Sequence, residues 1–144
     1  MLAYGIAILV LCMVPHREMN SGSCGPRALY AVTSRLGNTK TEAEILELFP
    51  RQGYAISLGE MGAALPKLGL RAASRNMSIE QVQNEHPLGV LHVDDTHFVA
   101  LVGYEKDAAI IVDSLYRGEE RPVRWLWNDL ASRWDGAILV ISRH

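Results

Sequence analysis

The sequence predicts an α+β domain, with helices in its first half and antiparallel strands in its second. Three observations predict it. Capping-box pairs open short amphipathic segments before residue 85, β-branched runs crowd the stretch after residue 88, and 144 residues suffice for one hydrophobic core.

The helices come first. From Cys24 to Leu36 the chain carries Ala28, Leu29, Val32 and Leu36 at helical spacing, and Gly37 stops the pattern. Pro26 fits a first turn, where its missing N–H costs nothing, so Cys24 is expected at a helix N-terminus. Thr41 with Glu44 is a capping-box pair that opens a short helix through Leu48. Ser57 with Glu60 repeats it before Met61, Ala64, Leu65 and Leu68, and Gly69 closes that helix. Ser78 with Gln81 is a third example.

The strands follow. Leu88 to Val93 is a short apolar run. His97 to Tyr104 and Ala108 to Val112 are rich in β-branched residues, and the hairpin-like gap Glu105-Lys106-Asp107 separates them. Trp127 to Trp134 reads as a short helix, and Ala137 to Ile141 as a closing strand.

Composition excludes several classes. The hydrophobic fraction of 49% and the charged fraction of 21% are those of an ordinary globular chain. A net charge of −2 gives no basic footprint, so no nucleic-acid partner is expected. Cys12 and Cys24 make at most one bridge, and in its apolar run a free Cys12 would behave as a small hydrophobe. Neither Cys-x-x-Cys nor His-x-x-x-His spacing occurs, so no metal or other cofactor is expected.

Residues 1–15 are set apart as an apolar N-terminal segment and residues 16–144 as the domain proper. Met1 to Val14 is continuously apolar but shorter than the roughly 20 residues of a spanning helix. A basic flank and a small-residue cleavage site are both missing. The run reads either as a buried element of the domain or as a membrane anchor or uncleaved export signal, and the second reading is the one expected. The second reading implies a membrane-associated or exported protein, the first a cytoplasmic one.

The chemistry centres on Cys24. A thiol attacks a peptide carbonyl only as thiolate, which a helix N-terminus and a neighbouring imidazolium both favour. His97 opens an apolar strand directly after the polar turn Asp94-Asp95-Thr96, and is the candidate base. Asp113 ends the next strand. If the two strands pair as a hairpin, His97 and Asp113 share one end of the sheet, a geometry suited to an Nδ1–H to carboxylate bond.

Cys24-Gly25-Pro26-x-x-Leu29 opening a helix, then His97-Phe98-Val99-x-Leu101-x-Gly103-Tyr104, then Val112-Asp113, resembles peptidase family C39. This is the papain-like family of double-glycine leader peptidases. Leu58-x-x-Met61, Lys67-Leu68-Gly69-Leu70-x-Ala72 and Trp127-x-x-Leu130-x-x-x-Trp134-x-Gly136 are similar to the family's middle and end. The resemblance spans about residues 20 to 142. It implies a papain-like fold, with N-terminal helices packed on an antiparallel sheet. It further implies a Cys24–His97–Asp113 triad, a thioester intermediate, and a peptide or protein substrate such as the leader of a secreted peptide, cut after Gly-Gly.

Two positions depart from the family pattern. Glu18 stands where the family has an oxyanion Gln six residues before the nucleophile, and an ionised carboxylate only accepts hydrogen bonds. Asn20 is then the alternative oxyanion donor. Ser114 stands where a Pro usually follows the Asp. A non-catalytic peptide-binding module on the same fold is the competing expectation, and an acyl-transferring relative a third.

Overall fold

The computed structural model describes residues 21–49, 56–113 and 121–144. The apolar run 1–14, Glu18, Asn20 and Ser114 therefore lie outside the described residues. Among the described residues five α-helices and six strands follow in the order α1 (Ser21–Arg35), α2 (Glu42–Leu46), α3 (Leu58–Ala64), β1 (Leu70–Asn76), α4 (Ile79–Glu85), β2 (Gly89–Val93), β3 (His97–Glu105), β4 (Ala108–Val112), β5 (Val123–Leu126), α5 (Trp127–Arg133) and β6 (Trp134–Arg143).

The three capping boxes form as the sequence predicts. Thr41 Oγ1 accepts from the Glu44 N–H at 3.1 Å, and Glu44 Oε1 accepts from the Thr41 N–H at 2.8 Å. Ser57 with Glu60 and Ser78 with Gln81 make the same reciprocal pairs. Each satisfies two backbone donors that a helix start leaves open. α3 ends earlier than the sequence pattern implies, and Leu65–Leu68 continues as a 3-10 turn. Pro66 has no N–H to donate back into α3, which ends the α-helical ladder there. Gly69, at φ 75°, then closes the turn in the left-handed region.

The six strands form one sheet in the order β1-β6-β2-β3-β4-β5, with antiparallel pairing throughout. Alternation along the strands divides the core in two. Val90, Ala100, Val112, Leu139 and Ile141 pack with Leu29 and Val32 of α1, Ile45 of α2 and Met61 of α3. Leu91, Val99, Leu101, Ile111 and Ile138 pack on the opposite face with Val82 of α4 and Leu130 of α5. The expected layer of N-terminal helices is thus present, and α4 and α5 add a second layer behind the sheet. With both faces covered, central strands bury residues of both faces, with Ile110, Ala137 and Val140 half-buried, which is why AAIIV and AILVI read as unbroken apolar runs. Each buried Leu or Ile contributes about 1.5–3 kcal/mol relative to exposure.

Candidate active site

α1 includes Cys24 as its fourth residue rather than its first. The expected start at Cys24 is therefore corrected, since Pro26 sits in the second turn. A proline there cannot donate to the carbonyl of Gly22, yet the helix continues through it. Cys24 still falls within the first turn, where the helix dipole is felt. It is buried, at 3% exposure.

α1 makes its most extensive packing with β3, the strand that His97 opens. Gly25 lies against that strand's start: a Cβ placed on it would come 3.6 Å from Phe98 Cδ2 and 3.2 Å from Met61 Sδ. The segment carrying Cys24 thus abuts the residue that follows His97. Cys24 is disulfide-bonded, with its partner outside the described residues. Any thiolate chemistry at this position belongs to the reduced protein.

His97 and Asp113 meet as the strand pairing predicts. β3 and β4 pair antiparallel with Ala100 opposite Val112, so the start of β3 and the end of β4 share one edge. His97 Nε2 lies 2.7 Å from Asp113 Oδ1. The ring atom differs from the expected Nδ1. Bonding through Nε2 leaves Nδ1 as the second functional nitrogen of the imidazole. Both side chains are withdrawn from solvent, His97 at 6% and Asp113 at 1%. A pair this deep fixes the orientation of the ring, because neither partner can exchange the other for water.

Two further pairs surround this edge and were not singled out from the sequence. Asp94, in the turn before His97, receives both Nε and Nη2 of Arg133, at 2.9 and 2.5 Å. Hydrogen bonding from Arg133 is the main cause that holds the Asp94 carboxyl below its ordinary value, and the charge of His97 adds to it. His92 of β2 sets Nδ1 2.7 Å from Asp135 Oδ2, and its ring lies 5.3 Å from that of Phe98. The only sequence signal for the first pair is the Asp94-Asp95 doublet, a residue type that tolerates left-handed backbone. Its Arg partner is 39 residues distant and carries no local mark. Among the described residues no group of three His, Cys, Asp or Glu gathers to hold a metal ion. No helix among them is long and apolar enough to cross a membrane.

The chain is 28% identical over 126 residues to an uncharacterised protein of Methanothermobacter thermautotrophicus, covering 88% of this chain and 86% of that one. Its fold is similar to that of a double glycine motif protease from an AMS/PCAT transporter, solved in complex with the leader peptide. That match has a TM-score of 0.72 at 19% identity, over 84% of each chain. The peptidase domain of Streptococcus ComA, a bi-functional ABC transporter involved in a quorum sensing pathway, gives a TM-score of 0.72 at 19% identity. It covers 90% of this chain and 100% of that domain. With the sequence model of the family matching residues 14–144, the chain belongs to the Peptidase C39 family.

Proposed function

We propose that the reduced chain is a cysteine peptidase that hydrolyses peptide bonds through Cys24, His97 and Asp113. The observation that carries this reading is the buried His97–Asp113 hydrogen bond at the edge against which the Cys24 helix packs. A carboxylate so placed orients an imidazole and stabilises it once protonated.

His97 takes the Cys24 proton, and the thiolate attacks the scissile carbonyl. The tetrahedral intermediate collapses to a thioester as His97 returns the proton to the leaving amine. Water then attacks the thioester with His97 again as base, releasing the acid and the free thiol. Backbone N–H groups in the first turn of α1 are suited to hold the oxyanion. A leader-type peptide carrying Gly-Gly is the substrate class that the structural neighbours support, and the family fold supports hydrolase chemistry.

The test uses protein freed of its disulfide by a thiol reductant. Iodoacetamide labelling of Cys24, read by peptide mass so that it is told apart from Cys12, is expected to be fast at neutral pH and to slow at least tenfold in His97→Ala. Cleavage of a Gly-Gly peptide is expected to vanish in Cys24→Ser. Equal, slow labelling in wild type and His97→Ala would remove the ion pair and with it the proposed mechanism.

Glu18 motivates a second reading, a peptide-binding module without turnover, because the family resemblance puts it in the place of the oxyanion Gln, where a carboxylate would oppose the developing charge. Loss of one oxyanion donor costs about 10²–10³ in kcat. Glu18→Gln is accordingly expected to raise turnover, and an unchanged rate shifts the donor role to Asn20. Peptide binding with no cleavage by either protein supports the module instead.

A further inference from the structure

We propose that Asp94 and Arg133 act as a positioning pair for His97, fixing the turn from which it enters β3; this rests on reading His97 as the base. Asp94 is tied to Arg133 at three points. Its N–H donates to the Arg133 carbonyl at 2.9 Å, and its two carboxylate oxygens take the guanidinium at 2.9 and 2.5 Å. A forked Arg–carboxylate contact specifies direction as well as proximity. The guanidinium is itself held, lying 4.0 Å above the ring of Trp125 on β5.

The turn so anchored is an unusual one. Asp94 and Asp95 adopt φ of 51° and 66°, left-handed conformations in residues other than glycine. Such residues persist where the surroundings over-determine them, and they cluster at functional sites. The Thr96 N–H returns to the Asp94 carbonyl at 2.8 Å, which closes the turn directly before His97. The route from clamp to base is therefore three residues long. Val93 before the turn pairs with Trp134, the residue after Arg133, so the two ends of the clamp each adjoin one strand of the β2–β6 pair.

The pair also settles the charge beside the imidazole. Asp94 stands three residues before His97, and a protonated imidazole there favours the Asp94 carboxylate. Arg133 neutralises that second carboxylate and leaves Asp113 as the group that orients the ring.

The experiment measures kcat and KM of reduced protein on a Gly-Gly peptide. Arg133→Met is expected to lower kcat about 10–100-fold, the scale of a roughly 1 Å misplacement, with KM within about twofold. Arg133→Lys, which keeps the charge without the fork, is expected to recover part of that loss, and Asp94→Asn to fall between wild type and Arg133→Met. Arg124→Met is the control. It removes a more exposed guanidinium, 48% against 35% for Arg133, that binds Glu105 and Asp107 at 2.6 Å each, at the far end of β3. It is expected to leave kcat within about twofold.

Should Arg133→Met fail to fold by near-UV circular dichroism, Arg133→Lys and Asp94→Asn carry the same comparison. Wild-type kcat in these variants, or an equal loss in Arg124→Met, overturns the positioning role. If wild type neither cleaves peptide nor shows His97-dependent labelling, the base assignment fails and the clamp falls with it. If wild type passes both tests while the Arg133 variants are unchanged, the clamp alone falls.

Discussion

His97 Nε2 and Asp113 Oδ1 lie 2.7 Å apart and join the first residue of β3 to the residue just past β4. The bond closes one edge of a hairpin whose other edge is the Lys106–Asp107 turn. Both side chains are buried, so the bond is shielded from competition by water.

Removing one partner is therefore expected to cost more than the bond itself. Asp113→Ala leaves a buried imidazole without its acceptor, a loss of about 1.5–3 kcal/mol for a hydrogen bond of this kind. Asp113→Asn keeps an amide oxygen that can accept from Nε2–H, so its stability loss is smaller. Urea midpoints should rank wild type, Asp113→Asn, Asp113→Ala. kcat on a Gly-Gly peptide should follow the same order, and an Asp113→Ala protein matching wild type in both would remove the pair from the site.

Two glycines make opposite predictions about packing. A Cβ on Gly89 would collide with the backbone carbonyl of Leu139, in the neighbouring β6. That oxygen belongs to the sheet and cannot turn aside, so Gly89→Ala is expected to destabilise by about 2 kcal/mol or more. A Cβ on Gly25 would meet Met61 Sδ at 3.2 Å and Cε at 3.3 Å, the end of a flexible side chain. Gly25→Ala is expected to change stability by less than about 1 kcal/mol. Chemical denaturation of both variants checks the contrast.

The helix caps predict a third result. Ser57→Ala removes the acceptor of the Glu60 N–H, a 3.0 Å bond at the start of the helix that seats Met61 in the core. A loss of about 1 kcal/mol is expected. Ser57→Asp should retain most of the stability, since Asp is an equally good cap and suits the helix dipole. A Ser57→Asp protein no more stable than Ser57→Ala would deny the cap its role.

What the sequence made legible divides along physical lines. Local signals survived: the capping boxes, the extents of β3 and β4, and Asp113 beside His97 each depend on neighbours a few residues away or on one hairpin. The core of α1 was equally clear, but its start was not, because Pro26 reads as a first-turn residue and instead lies in the second. β1 gave little from its residues alone, since LRAASRN is exposed almost throughout and lacks an apolar stripe. β5, four residues long at the sheet edge, gave no signal. Insertion of β6 between β1 and β2 is a long-range pairing that no local pattern encodes. The site followed the same rule. The bond between neighbouring strands was foreseen apart from its ring nitrogen, while the Asp94–Arg133 contact, made across 39 residues, was not.

That contact also predicts how stability responds to acid. The Asp94 carboxyl is held below its ordinary value of 3.8, chiefly by the hydrogen bonds from Arg133. A carboxylate whose native pKa is depressed adds stability that is present above the unfolded value and is lost as pH falls through the native one. Because both side chains are more than a third exposed, at 35% and 39%, solvent screening limits the contribution to less than about 1 kcal/mol. Wild type should therefore exceed Asp94→Asn in urea midpoint by a small margin at neutral pH. The margin should shrink as pH falls through about 3.8, and it should close once the native carboxyl is protonated. High salt at neutral pH should narrow the same margin, since the pair is exposed. A margin that grows toward acid, or that ignores salt, would mean that Asp94 stabilises the turn through its backbone conformation and not through its charge.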